Sequence, residues 1–101
     1  MRRVVVTGIG IVSSIGNNTE EVSESLLRGK SGITRNEDMV AHGFRSQIAG
    51  NIKLDVSEYI DKRALRFMGL GAAYSHIAME QAITDAGLKD EDVSSTRTGL
   101  V

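Results

Sequence analysis

Three cations, Lys62, Arg63 and Arg66, stand within the run Asp61-Lys-Arg-Ala-Leu-Arg66. Spacings of three and four residues put Lys62 or Arg63 on the same helical face as Arg66. Such a group can dock an acidic partner through complementary charge. Most runs of this kind are solvated faces that contribute little energy. Here the apolar Leu65, Phe67 and Met68 lie beside the cations and would hold them rigidly, as docking requires.

Other chemistry-bearing residues read more plainly. Gly8-Ile-Gly-Ile-Val-Ser13 follows a β-branched run, and a strand entering G-x-G can cradle a pyrophosphate at a helix N-terminus. Ser13 stands where that fingerprint has its third glycine, and the next helix signal comes only at Asn18. No acidic residue closes a clear second strand about 20 residues on. Close backbone packing, or positive φ at a strand end, is the better account of Gly8 and Gly10. Ser13 and Ser14 lack a G-x-S-x-G elbow and an identifiable partner base. His76 reads as a hydrogen-bonded structural residue and His42 as a surface one. The chain has no cysteine and two histidines far apart. A thiolate nucleophile, a disulfide, a metal site and a bound cofactor are therefore not expected within it.

The elements that must position these groups follow from local pattern. Val4–Val6 and Ile9–Val12 predict a strand covered on both faces. Asn18-Thr-Glu-Glu21 predicts a capping box, Val22 and Leu26 an apolar helical stripe, and Gly29 a left-handed stop. Residues 30–55 show no period and predict irregular structure with short extended pieces. Length of this kind suggests a functional excursion or a contact with another chain. A second helical region is expected from Asp55 or Ser57 to about Leu88, broken near Gly69–Gly71. Its later part is apolar nearly all round apart from a strip of His76, Glu80 and Thr84, which predicts a buried helix. Gly87 should end it, a polar turn should span Lys89–Ser95, and a strand should open at Thr98–Val101. Two strands do not make a self-sufficient sheet around such a helix. The 101 residues are therefore expected to be part of a larger unit, with no internal domain boundary.

Composition narrows the classes. At 41% hydrophobic and 25% charged the chain is ordinary globular material. A net charge of −1, with two Tyr and two Phe, points away from nucleic acid and anionic membranes. No apolar run approaches the roughly 20 residues that cross a bilayer. Gly8 and Gly10 break the run after Arg2 and Arg3 that superficially suggests a signal peptide, so a cytoplasmic location is expected.

Val4-Val-Val-Thr-Gly-Ile-Gly-Ile-Val-Ser-Ser-Ile-Gly-Asn17, Gly29-Lys-Ser-Gly-Ile33, Gly50-Asn-Ile-Lys-Leu54, Ile60-Asp-Lys-Arg-Ala-Leu-Arg-Phe-Met68 and Met79-Glu-Gln-Ala-Ile-Thr-Asp-Ala-Gly-Leu88 occur in order. Together they resemble the amino-terminal part of the β-ketoacyl-[acyl-carrier-protein] synthases. Ser13-Ser14 and Arg66-Phe-Met68 favour the type I elongating branch over type II. The resemblance implies an α/β fold, the amino-terminal portion of a thiolase-like five-layer α-β-α-β-α architecture, incomplete as given. It implies a homodimer in fatty-acid biosynthesis that condenses malonyl-acyl carrier protein with an acyl thioester held on a cysteine. The family's cysteine and two histidines belong to later motifs, so neither His42 nor His76 inherits a role and the segment alone is expected to be inactive. Docking of acyl carrier protein carries over to Lys62, Arg63 and Arg66, and to Arg45. Competing readings are a non-catalytic partner or remnant of the fold, a fragment without independent function, and a nucleotide-binding α/β domain.

Overall fold

A computed structural model describes residues 1–101. Its elements are α1 (Thr19–Leu27), β1 (Ile33–Arg35), α2 (Glu37–Ala41), β2 (Ile48–Gly50), a 3₁₀ turn (Val56–Glu58), α3 (Lys62–Leu65), α4 (Leu70–Ala86) and α5 (Asp90–Val93). The class is α/β, with a two-stranded sheet. β1 and β2 pair antiparallel, Ile33 opposite Gly50 and Arg35 opposite Ile48. They are the short extended pieces expected within residues 30–55, and α2 forms the excursion between them.

The helix signals were local, and most hold. Asn18 caps α1 by accepting from Glu21 N at 2.9 Å. Glu21 reaches back as well, but to Asn17 N at 2.8 Å, one residue before the cap. Gly29 and Gly87 both adopt left-handed φ, 62° and 67°, and close α1 and α4. On α1 the inward pair is Val22 and Ser25, and the expected Leu26 is 68% exposed. Ser25 takes the inner place because its hydroxyl donates to Ile15 O at 2.6 Å.

Two expected strands are absent. Residues 4–12 enter no sheet, and an isolated bridge joins Ser13 to Gly16. The physical reason is partnership: a strand exists by its ladder, and no second strand lies alongside. Side chains of α4 satisfy two of its amides instead. Ile9 N donates to Asp85 Oδ2 at 2.9 Å and Ile11 N to Gln81 Oε1 at 3.0 Å. Residues 98–101 form no strand for the same reason. The polar stretch expected as a turn holds α5 instead, whose first turn carries Asp90, Glu91 and Asp92, acids favourable at a helix start.

The second helical region is three pieces. Asp61 restarts the chain as the cap of α3, accepting from Arg63 N at 2.7 Å, and α3 ends one turn later at Arg66. Gly69, extended at ψ 161°, opens α4 without a side-chain cap. The core is small: Ile60, Ala73 and Ile77, with Val12, Leu54, Val56, Ala64, Leu65 and Met68 packed around them. Burial of α4 is accordingly one-sided. Ala73 and Ile77 are enclosed, whereas Leu70 is 63% and Met79 43% exposed. The radius of gyration is 16.9 Å, against about 13 Å for a compact 100-residue domain. The apolar outer face of α4 is therefore open. No helix is long and apolar enough to cross a membrane.

Candidate functional site

The glycine turn has no room for a phosphate. A β-carbon at Gly10 would collide with the Ala78 carbonyl and stand 2.8 Å from Ala82 N. At Gly8 it would collide with the Ala82 carbonyl and stand 2.7 Å from Ala86 N. The two glycines seat the amino-terminal segment on one stripe of α4, at Ala78, Ala82 and Ala86. Close packing is thus their function, which removes the basis for nucleotide binding at this turn.

The cations of α3 are presented on an anchored turn. Ala64 and Leu65 face the core, while Lys62, Arg63 and Arg66 are exposed. The turn is held at its start by Asp61 and at its end by Phe67 N donating to Ala64 O at 3.0 Å and Met68 N to Leu65 O at 3.2 Å. The chain's ion pairs are Arg28–Glu24 at 2.9 Å and Arg35–Glu37 at 3.3 Å, so all three α3 cations stand without a carboxylate partner. Leu65 and Met68 pack against the core as expected, but Phe67, expected to anchor the run with them, is 91% exposed and does not. This is an unpaired positive patch with an apolar neighbour, suited to an acidic surface. Arg45 is exposed on the connection between α2 and β2, and no hydrogen bond or ion pair joins it to α3.

The histidines stand apart from that patch. His42 Nδ1 lies 2.7 Å from Asp38 O, within its own helical turn and cap, and its ring is 6.1 Å from that of Phe44. His76, expected as a hydrogen-bonded structural residue, is instead exposed and makes no side-chain hydrogen bond in the chain; it lines an open cleft of about 690 Å³ with Tyr59, Glu80, Thr84 and Asp85. The polar strip of His76, Glu80 and Thr84 was visible in the sequence, but the cleft it faces was not. A second cleft, of about 260 Å³, brings Ser13 and Ser14 together with Lys30 and Lys53. Its residues come from separate stretches of chain, so no local spacing could announce it.

The comparisons agree with the ordered motifs. A family model described as "Beta-ketoacyl synthase, N-terminal domain" matches residues 1–101. The chain is 56% identical over 101 residues to 3-oxoacyl-[acyl-carrier-protein] synthase 1 of Haemophilus influenzae, covering all of this chain and 25% of that protein. It is 49% identical over 102 residues to synthase 1 of Escherichia coli K12, again all of this chain and 25% of the relative. To synthase 2 of Vibrio harveyi it is 40% identical over 100 residues, 98% of this chain and 24% of that protein. The order of these similarities is the one Ser13-Ser14 and Arg66-Phe67-Met68 led us to expect. The chain spans about a quarter of the length of these relatives. With the whole of it matched by the family model, the chain belongs to the β-ketoacyl synthase family.

Proposed function

We propose that these residues are the amino-terminal segment of a fatty-acid elongating enzyme that condenses malonyl-acyl carrier protein with an acyl thioester. The supporting observation is the match over residues 1–101 to the family, at 49–56% identity to the synthase 1 relatives. In this reaction the malonyl carboxylate leaves as CO₂ and its electron pair forms an enolate at the α-carbon. The enolate attacks the carbonyl of the acyl group held on a cysteine, and collapse of the tetrahedral oxyanion expels the thiolate. Residues 1–101 contain no cysteine. The nucleophile and the oxyanion-stabilising histidines therefore come from other residues, and this segment has no catalytic role of its own.

What this segment supplies is scaffold and docking. Lys62, Arg63 and Arg66 receive the acidic carrier protein, with Arg45 as a further contributor. Their support is that the α3 cations are exposed, carried on a capped turn and unpaired. The open face of α4 is covered by further layers of a five-layer α-β-α-β-α domain that works as a cytoplasmic homodimer, and residues 1–101 lie within one domain of it. The test is a condensation assay on the full-length polypeptide with malonyl- and acyl-carrier protein, following release of CO₂. Formation of the 3-oxoacyl product supports the reading. Carrier-protein binding without CO₂ release would favour the non-catalytic partner instead.

A further inference from the structure

We propose that the smaller cleft, between the Ser13–Gly16 turn, Lys30–Ser31 and Lys53, binds a phosphate group, either as a small phosphate monoester or as inorganic phosphate. The cleft encloses about 260 Å³, enough for a tetrahedral oxyanion and part of what carries it. Two lysines line it, and both rise from fixed backbone. Lys30 N donates to Ser25 O at 2.8 Å, and Lys53 O accepts from Asn17 Nδ2 at 2.9 Å. Neither ammonium has a carboxylate partner. The one acid in the wall, Glu21, commits an oxygen to Asn17 N at 2.8 Å. Two positive charges thus face one negative.

Hydroxyl donors complete the set. Ser31 Oγ accepts from Ile33 N at 3.2 Å, which leaves its own proton free to donate. Ser14 Oγ is held against Gly32 and Gly50, 3.1 Å from where a β-carbon at Gly50 would stand, and enters no hydrogen bond in the chain. Larger residues at Gly32 or Gly50 would displace that hydroxyl. Ser25 is already spent on Ile15 O. Asn18, Thr19 and Glu20, which open α1, do not line the cleft, so it relies on side chains rather than on the helix end. Unpaired lysines with free hydroxyls form charge-assisted bonds to phosphate oxygens, with lysine acting as a point charge. Lys62, Arg63 and Arg66 lie outside these walls, so the cleft is independent of the docking patch.

The test is calorimetric titration of the full-length polypeptide with inorganic phosphate, and separately with glycerol 3-phosphate, at fixed ionic strength. Saturable binding is expected, weakened about tenfold or more in Lys30→Ala/Lys53→Ala and unchanged in Lys62→Ala/Arg66→Ala. The tighter of the two ligands identifies the source of the phosphate. Equal affinity in wild type and the Lys30/Lys53 variant, or no saturable binding in wild type, overturns the proposal. Ser14→Ala/Ser31→Ala keeps both lysines and serves where the double lysine variant fails to fold. It should weaken binding several-fold, and unchanged affinity would equally count against the site.

Discussion

Gln81 holds Ile11 across 70 residues of sequence: its Oε1 accepts from Ile11 N at 3.0 Å. The same amide donates through Nε2 to Asn17 O at 2.7 Å. One side chain on α4 therefore pins both ends of the turn that leads into α1. Asn17 in turn donates to Lys53 O, so the amino-terminal segment, α4 and the chain before the 3₁₀ turn are tied in sequence through Gln81 and Asn17.

Removing Gln81 should therefore cost more than an ordinary polar truncation. Gln81→Ala leaves Ile11 N and Asn17 O without their partners at a half-buried junction, for about 1–3 kcal/mol each if water does not replace them. The measurement is chemical unfolding of the intact protein. A midpoint equal to wild type would mean that the junction is already wet.

Gly10 tests the packing that replaces a sheet partner. Gly10→Ala pushes a β-carbon into the Ala78 carbonyl, and Gly8→Ala pushes one into the Ala82 carbonyl, one turn further along the same stripe of α4. Overpacking of this kind costs about 1–3 kcal/mol. Both variants should lower the thermal midpoint. Because each moves the segment off α4, the double variant should lose less than the sum of the singles. Strict additivity would show that the two residues do not share one interface.

Elements written in short-range chemistry were legible in the sequence. Asn18, Gly29 and Gly87 each act within four or five residues, and each stands where its residue type predicts, while Glu21 reaches back one residue past the cap amide expected of it. The extended segment was legible in its β-branched residues, but a ladder needs a second strand, and none lies alongside it. Val4 is accordingly 93% and Val6 83% exposed. The α3 cations could be placed on one turn from spacing alone. Arg45 could not be related to them, and the Lys30–Lys53 cleft required the folded path of the chain.

Asp55 offers a test of the turn that leads into α3. Its Oδ1 accepts from Ser57 Oγ at 2.6 Å and from Ser57 N at 2.9 Å. The hydroxyl bond first, and the amide bond second, hold the carboxyl below its ordinary value of 3.8. A depressed carboxylate contributes stability that is fully present above its unfolded pKa and is lost as pH falls through the folded one. An NMR titration of the Asp55 carboxyl should therefore show a midpoint below 3.8. Ser57→Ala should raise that midpoint only part of the way, since the backbone donor remains. A titration unmoved by Ser57→Ala would assign the shift to another cause.

Arg66 separates docking from chemistry. It is exposed at the end of α3, makes no ion pair, and contributes only backbone to the turn. Arg66→Glu should leave folding nearly intact while placing a negative charge against the proposed acidic partner. Under the proposed condensing activity, the KM of the full-length polypeptide for malonyl-carrier protein should rise roughly tenfold. Turnover of a small malonyl thioester, which has no acidic surface to repel, should stay unchanged. The difference should narrow as salt is raised, because the Debye length falls from about 10 Å at 0.1 M to about 3 Å at 1 M. A reversal on α3 that slowed both substrates equally, at every ionic strength, would place Arg66 in the architecture of the enzyme and remove it from the docking surface.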